Sequence, residues 1–185
     1  NKDRHRKNIR KELEIPENSI LILFVGSGFE RKGLKALLQA MQYLHSEDWR
    51  LLIMGKGKWK KYLQLVPENL RSKIIYKEPI SDIERYYSAA DIFALPSIYE
   101  PFGNANLEAL ASGLPVITTR HSGAADIIEH GQNGLIVESP ESVKELAENI
   151  NILFIINYAG RVTYLTHSYA GPWAKMVEPW LRSFP

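Results

Sequence analysis

Six short apolar runs punctuate the chain: Ile20 to Val25, Arg50 to Met54, Lys73 to Tyr76, Asp91 to Leu95, Pro115 to Thr119 and Gly134 to Val137. Most lack the polar-apolar alternation of a strand with one wet face, and most are bounded by Gly, Pro or Asp. Such runs predict strands covered on both sides. Between them the apolar positions return at helical spacing. Lys32 to Leu44 sets Leu34, Leu37, Leu38, Met41 and Leu44 along one stripe. Asp82 to Ala90 predicts a second helix, capped by Ser81 or Asp82, and Ser139 to Leu153 a third, opened by Pro140 and Glu141. Strand and helix alternating through short connections give right-handed βαβ units, so the expected fold is α/β with a doubly wound parallel sheet.

Asn151 to His167 reads equally as helix, strand or packed loop. From Ser168 to Phe184, the positions of Trp173, Met176, Val177, Trp180 and Leu181 match one face of a terminal helix. That aromatic face needs a cover, and pairing of two chains through it would supply one. The expected layout is residues 1–18 as a linker or N-terminal helix at the cut edge of a longer chain, 19–167 as one binding domain and 168–185 as a C-terminal helix. The first residues lack the apolar segment of an export peptide.

Composition narrows the chemistry. A formal charge of +2 is too near zero to argue for nucleic acid, and no basic stripe interleaved with aromatics is read as a binding groove. With no cysteine there are no disulfides, thiolate metal sites or thiol nucleophile, which suits a reducing compartment. No apolar run has the length to span a bilayer.

Two loops carry candidate chemistry. VGSGFERKG leaves the first strand through Gly26, Ser27 and Gly28 and enters a helix near Lys32 and Gly33. Small residues let amides approach an anion, the helix start adds partial positive charge, and Arg31 and Lys32 add formal charge. A plain turn with solvated basic residues is the competing reading. The second loop lies in EPFGNANLE, where Glu100 and Glu108 flank a Pro-Gly turn and the first turn of a helix. Free amides at Gly103, Asn104 and Ala105 suit diphosphate or sugar oxygens. Glu108 would repel a diphosphate and so is expected to face a neutral polyol such as ribose. Both loops fall at strand-to-helix transitions, where open α/β sheets bind ligands.

The Glu100 to Glu108 spacing within SIYEPFGNANLEALASGLPVITT resembles the signature of family 4 glycosyltransferases of the GT-B fold. VGSGFERKGLKALLQAM, RLLIMGKG, ERYYSAADIFALPS, SGAADII and HGQNGLIV follow in the order of those enzymes' C-terminal, nucleotide-sugar-binding half, over roughly residues 8 to 150. The resemblance implies a Rossmann-like domain, the single C-terminal half of a GT-B fold, whose missing N-terminal domain would hold the acceptor.

It also implies roles. Glu100 and Lys32 would be catalytic, Glu100 holding donor-sugar hydroxyls and Lys32 neutralising the departing diphosphate. The amides around Phe102, Gly103, Asn104 and Ala105 would hold sugar and phosphate, Glu108 the ribose, and the backbone near Pro79 and Ile80 the base, commonly uracil. Gly26, Ser27 and Arg31 complete the implied donor set. Ser27 stands where many members carry Arg, a variant similar to the lipopolysaccharide core glucosyltransferases, so Lys32 is favoured over Arg31 as the phosphate cation. No cofactor or metal is expected, the donor being a UDP-sugar and the acceptor a glycan or glycolipid, in a cytoplasmic protein peripheral to the inner membrane face. A GT-B epimerase and a non-catalytic nucleotide-sugar-binding module are the alternatives. Among smaller candidates, His121 reads as a solvated loop residue at the sheet's carboxyl end, Ser122 and Gly123 as the start of the next helix and Asp126 as a cap or solvated acid. Tyr86, Tyr87, Phe93 and Tyr99 read as core.

Overall fold

The computed structural model describes residues 2–162. Its strands are β1 (Ile20–Val25), β2 (Trp49–Met54), β3 (Ile74–Lys77), β4 (Ile92–Leu95), β5 (Val116–Thr119) and β6 (Gly134–Val137). All pair in parallel in the order β3-β2-β1-β4-β5-β6. The helices are α1 (Lys2–Glu12), α2 (Leu34–Ala40), α3 (Glu68–Arg71), α4 (Glu84–Ala89), α5 (Asn104–Ala111) and α6 (Val143–Val162), with 3₁₀ segments Met41–Tyr43, Trp59–Leu65 and Gly123–Ile127. The expected Rossmann-like α/β architecture is present, and each predicted apolar run forms a strand. From Ile20 to Phe24, β1 is wholly buried, as a central strand flanked by β2 and β4 and covered by helices must be.

The order locates the crevice. Chain progress runs from β1 outward to β3, then crosses to β4 on the other side of β1. Connections leaving the carboxyl ends of β1 and β4 therefore diverge to opposite faces, opening a cleft between them.

Several helix limits differ from the sequence reading. α2 begins after Gly33 rather than at Lys32. Gly33 is left-handed (φ 74°), and a Cβ there would stand 1.8 Å from the Pro96 carbonyl oxygen, so only glycine lets the β1 exit lie against β4. Its predicted C-terminal part tightens into the 3₁₀ turn Met41–Tyr43. α4 is preceded by Ile83 and has no side-chain cap. Asp82 instead pairs with Arg85 at 3.1 Å and accepts from the Ser81 hydroxyl at 3.0 Å.

Ser139 to Ser142 form a turn, with Ser142 N donating to Ser139 O at 2.9 Å, so α6 starts at Val143 and not at Ser139. It then continues through the ambiguous stretch to Val162, burying Leu146, Ala147, Ile150, Leu153 and Phe154 along one face. The predicted terminal helix and its pairing surface lie outside the described residues.

α1 packs on α4. Its sequence is almost entirely polar, yet Ile9 and Arg10 are buried. Arg6 and Arg10 both reach Asp91, at 2.6 and 3.2 Å.

Candidate functional site

The loop leaving β1 is anchored from below by Phe29, whose ring meets Phe24 and Tyr62 at centroid distances of 6.1 and 6.3 Å. Lys32 N donates to Gly28 O at 3.1 Å and Gly33 N to Glu30 O at 3.0 Å, so a tight turn presents Arg31 and Lys32. They precede the helix instead of opening it. The Lys32 stem lies over Gly26, where an added Cβ would meet it at 3.2 Å. Ser27 Oγ is occupied as acceptor of the Lys56 amide at 3.0 Å.

Main-chain bonds stitch this loop to the segment leaving β4. Ile98 N donates to Arg31 O at 2.8 Å, and the Arg31 guanidinium donates to Tyr99 O at 2.9 Å. Glu100 N then donates to His121 O at 3.2 Å, and Gly123 N to Glu100 O at 2.7 Å, joining the segment after β5. Gly123 is required because a Cβ there would stand 2.0 Å from the Pro101 carbonyl oxygen. Three loops from β1, β4 and β5 thus converge on Glu100.

The Glu100 carboxylate receives Lys32 Nζ and, at 3.2 Å, Arg31 Nη1. The two cations are unequal: the Lys32 side chain is 12% exposed and that of Arg31 49%. Lys32 is the less screened partner. Burial pushes the Glu100 pKa up, but the Lys32 hydrogen bond, the charges of Lys32 and Arg31 and a backbone hydrogen bond from Gly103 outweigh it. The carboxyl titrates below the ordinary value of 4.5.

A lowered folded-state pKa means this carboxylate stabilises the fold above pH 4.5 and loses that contribution as pH falls through the folded value. Glu100→Gln is therefore expected to flatten the acid limb of stability below pH 4.5, which thermal unfolding followed from pH 7 downward would register. An unchanged slope would remove Glu100 from the acid-sensitive groups.

α5 opens at Gly103, left-handed at φ 67° and without a side-chain cap. Asn106 N is taken by Gly103 O at 2.8 Å, leaving the amides of Asn104 and Ala105 in the first turn toward the cleft. Asn106 itself went unread in the sequence, and it is wholly buried. Its Nδ2 reaches Thr118 Oγ1 at 3.4 Å and Ser122 Oγ at 3.3 Å, while its Oδ1 has no partner among the described residues. It ties the first turn of α5 to β5 and to the Ser122 that caps the 3₁₀ segment, since Ala124 N donates to Ser122 Oγ. Nothing within NANLEALA marks it, because its burial follows only from the seating of α5 on β5.

The remaining predicted residues are spread about this centre. Phe102 is exposed at the loop tip. Glu108, a turn inside α5, is exposed and accepts the Tyr87 hydroxyl at 2.9 Å; burial first, then that carboxylate, pushes the Tyr87 pKa far up. Ile80 is exposed beyond β3, at the far edge of the sheet. Tyr86, Tyr87 and Phe93 are core as expected. Tyr99 is not: at 60% exposure it lines an open groove of 540 Å³ with Glu100, His121, Ser122, Gly123 and Asp126. His121 is exposed there, with Nδ1 3.2 Å from Ile98 O. Asp126 does not cap its segment, since Ser122 does. Among the described residues, no three His, Asp or Glu side chains gather as a metal site.

The arrangement offers an anion two cations and a helix start, beside an acid able to accept from hydroxyls. Comparison with known proteins supplies the family. The family model for glycosyl transferases group 1 matches residues 5–157. An uncharacterized glycosyltransferase of Methanocaldococcus jannaschii is 34% identical over 143 residues, covering 74% of this chain and 37% of that protein. The lipopolysaccharide glucosyltransferase WaaG of Escherichia coli is 31% identical over 147 residues, covering 77% and 39%. A crystal structure of WaaG, a glycosyltransferase involved in lipopolysaccharide biosynthesis, superposes with a TM-score of 0.77 at 27% identity, over 97% of this chain and 47% of that one. The chain thus spans less than half the length of these relatives.

Proposed function

This chain belongs to the group 1 glycosyl transferases, and from that premise we propose that its cleft binds the nucleoside diphosphate sugar of a retaining hexosyltransferase. The observation that carries the reading is the clasp of Glu100 by Lys32 and Arg31 where the β1 and β4 loops meet. An arriving diphosphate would draw both cations and the amides of Asn104 and Ala105 to its oxygens. Glu100, relieved of Lys32, would accept hydroxyl hydrogens of the sugar. As the bond from anomeric carbon to phosphate oxygen breaks, the electron pair stays on the diphosphate, and Lys32 stabilises that developing charge. The acceptor oxygen takes the vacated bond on the same face of the ring and passes its proton to the departing phosphate oxygen.

In this reading Lys32 and Glu100 touch the reacting groups. Gly26, Ser27, Arg31 and the turn from Phe102 to Ala105 frame the donor. Glu108, steadied by Tyr87, takes ribose, and the backbone near Ile80 takes a uracil base. No cofactor is called for, and the acceptor, a glycan or glycolipid, would be held by an N-terminal partner domain of the kind the resemblance implies. WaaG, named a lipopolysaccharide glucosyltransferase, supports a hexose and a cell-surface acceptor.

Calorimetric titration tests the donor half directly. UDP and UDP-glucose are expected to bind with dissociation constants of about 1 mM or below, worth about 4 kcal/mol or more. Turnover by this chain alone is expected to be absent. Flat heats at millimolar ligand, with the circular dichroism of an intact fold, would overturn the proposal.

A further inference from the structure

Two neighbouring turns grip Glu100, one by its backbone and one by its carboxyl, and both turns rest on one buried amide. The Glu100 backbone runs beside Ser122 in a parallel bridge, with Glu100 N donating to His121 O and Gly123 N to Glu100 O. The Glu100 carboxyl receives a hydrogen bond from the backbone of Gly103. Asn106 lies beneath both turns, wholly buried. A Cβ on Gly103 would stand 2.9 Å from Asn106 Nδ2 and 3.1 Å from Ser122 Oγ. The left-handed turn before α5, the Asn106 amide and the Ser122 hydroxyl are therefore packed as one joint.

The orientation of the amide follows from its partners. Thr118 Oγ1 donates its hydrogen to Leu95 O at 3.1 Å, so it has only lone pairs to offer, and Nδ2 rather than Oδ1 must face it. The other Nδ2 hydrogen goes to Ser122 Oγ, which also accepts from Ala124 N. Oδ1 is left without a partner among the described residues, and a stranded buried acceptor lowers stability. Both hydroxyls would keep a bond if Asn106 were apolar, Thr118 to Leu95 O and Ser122 from Ala124 N. Two long bonds set against a stranded acceptor give the fold little reason to keep an amide here.

We infer that Asn106 is a positioning residue for Glu100: by tying the first turn of α5 to β5 and to Ser122, it fixes the separation between the Gly103 turn and the Ser122–Gly123 backbone that Glu100 spans. The inference rests on the donor reading, in which Glu100 accepts hydroxyl hydrogens of the sugar, and Asn106 itself touches no part of the donor. Lys32 reaches the diphosphate from the β1 loop and has no bond to the joint. Loosening the joint therefore misplaces the sugar-binding acid more than the phosphate-binding cation.

Asn106→Leu keeps the branched shape and removes the tie. The first readout needs no donor. The 13C resonance of the Glu100 carboxyl, followed against pH, is expected to titrate below 4.5 in the parent and nearer 4.5 in the variant, because the Gly103 hydrogen bond loosens while Lys32 and Arg31 remain. The second is the ratio of the UDP-glucose to the UDP dissociation constant, expected to rise about 10-fold, the size for losing a hydrogen bond to a charged group. Asp91→Asn, weakened at the amino end of β4, is the control for lost stability and should move neither readout. Ser122→Ala removes the other end of the tie and is expected to shift both in the same direction, which decides the case if Asn106→Leu does not fold. A folded variant whose Glu100 titrates as in the parent would overturn the inference. So would an unchanged ratio, or a control that shifts as much as Asn106→Leu. If the parent binds neither ligand, the donor reading falls, and the titration alone decides whether Asn106 positions Glu100.

Discussion

Lys32→Ala is expected to weaken UDP-glucose binding about 100-fold, close to 2.7 kcal/mol, a loss within the range for a charge-assisted hydrogen bond in a screened-off site. The ammonium sits on a stem packed over Gly26 and meets a carboxylate that is itself buried, so water cannot replace it cheaply. Removing it also leaves Glu100 with Arg31, whose side chain is largely in solvent. Arg31→Ala should therefore cost much less, about 1 kcal/mol or below, as exposed ion pairs do. Parallel titrations with UDP and uridine locate the effect. A loss for UDP with uridine unchanged puts Lys32 on the diphosphate. An equal loss for both would mean that the variant disturbs the loop as a whole, and no loss would remove Lys32 from the donor contacts.

The strands were legible because a strand covered on both faces must be apolar at consecutive positions, and β1 and β6 run between the residues that the pattern predicts. Helix limits were less so, because they depend on contacts made at a distance. Nothing near Gly33 in sequence reveals that the Pro96 carbonyl will press on it and defer α2 by a residue or more. The helical fate of the stretch after Leu153 is fixed by burial of Leu146, Ile150 and Phe154 along α6, a tertiary fact layered on an ambiguous local pattern.

The candidate site divides in the same way. Gly26, Arg31, Lys32, Glu100 and the turn before α5 could be named from residue type, because few pairings other than cation, acid and left-handed glycine suit a diphosphate beside a sugar. Their mutual arrangement could not. Lys32 and Glu100 meet only because β1 and β4 are neighbours in a sheet whose order departs from sequence order. Asn106 was invisible because an Asn within NANLEALA reads as a solvated helix position until the helix is set down on β5. Tyr99 erred the other way, an aromatic taken for core that lines the open groove.

Asp91→Ala is expected to cost about 3–5 kcal/mol, the usual penalty for leaving a buried charge without its partner. Asp91 is 5% exposed and Arg10 8%, so neither can fall back on water. The Asp91 carboxylate accepts from Arg6 at 2.6 Å, from Arg10 at 3.2 Å and from the Leu21 amide at 2.8 Å, joining α1 to the start of β4 and to β1. Arg10 donates as well to the carbonyls of Ala89, Pro16 and Ser19, so its head is held in place once Asp91 is gone, with the Asp91 charge no longer opposite it. A loss of that size is a large fraction of the 5–15 kcal/mol that ordinarily separates folded from unfolded chains, roughly a fifth or more. Asp91→Asn keeps an oxygen for the Leu21 amide and should fall by about 1–3 kcal/mol. Arg6→Ala, whose side chain is 29% exposed, should fall least. Urea denaturation of the three variants orders these costs. If Asp91→Ala unfolds at the parent midpoint, α1 is not locked to the sheet by this charge cluster, and burial of Ile9 with the remaining hydrogen bonds of Arg6 and Arg10 to backbone carbonyls would have to hold it there.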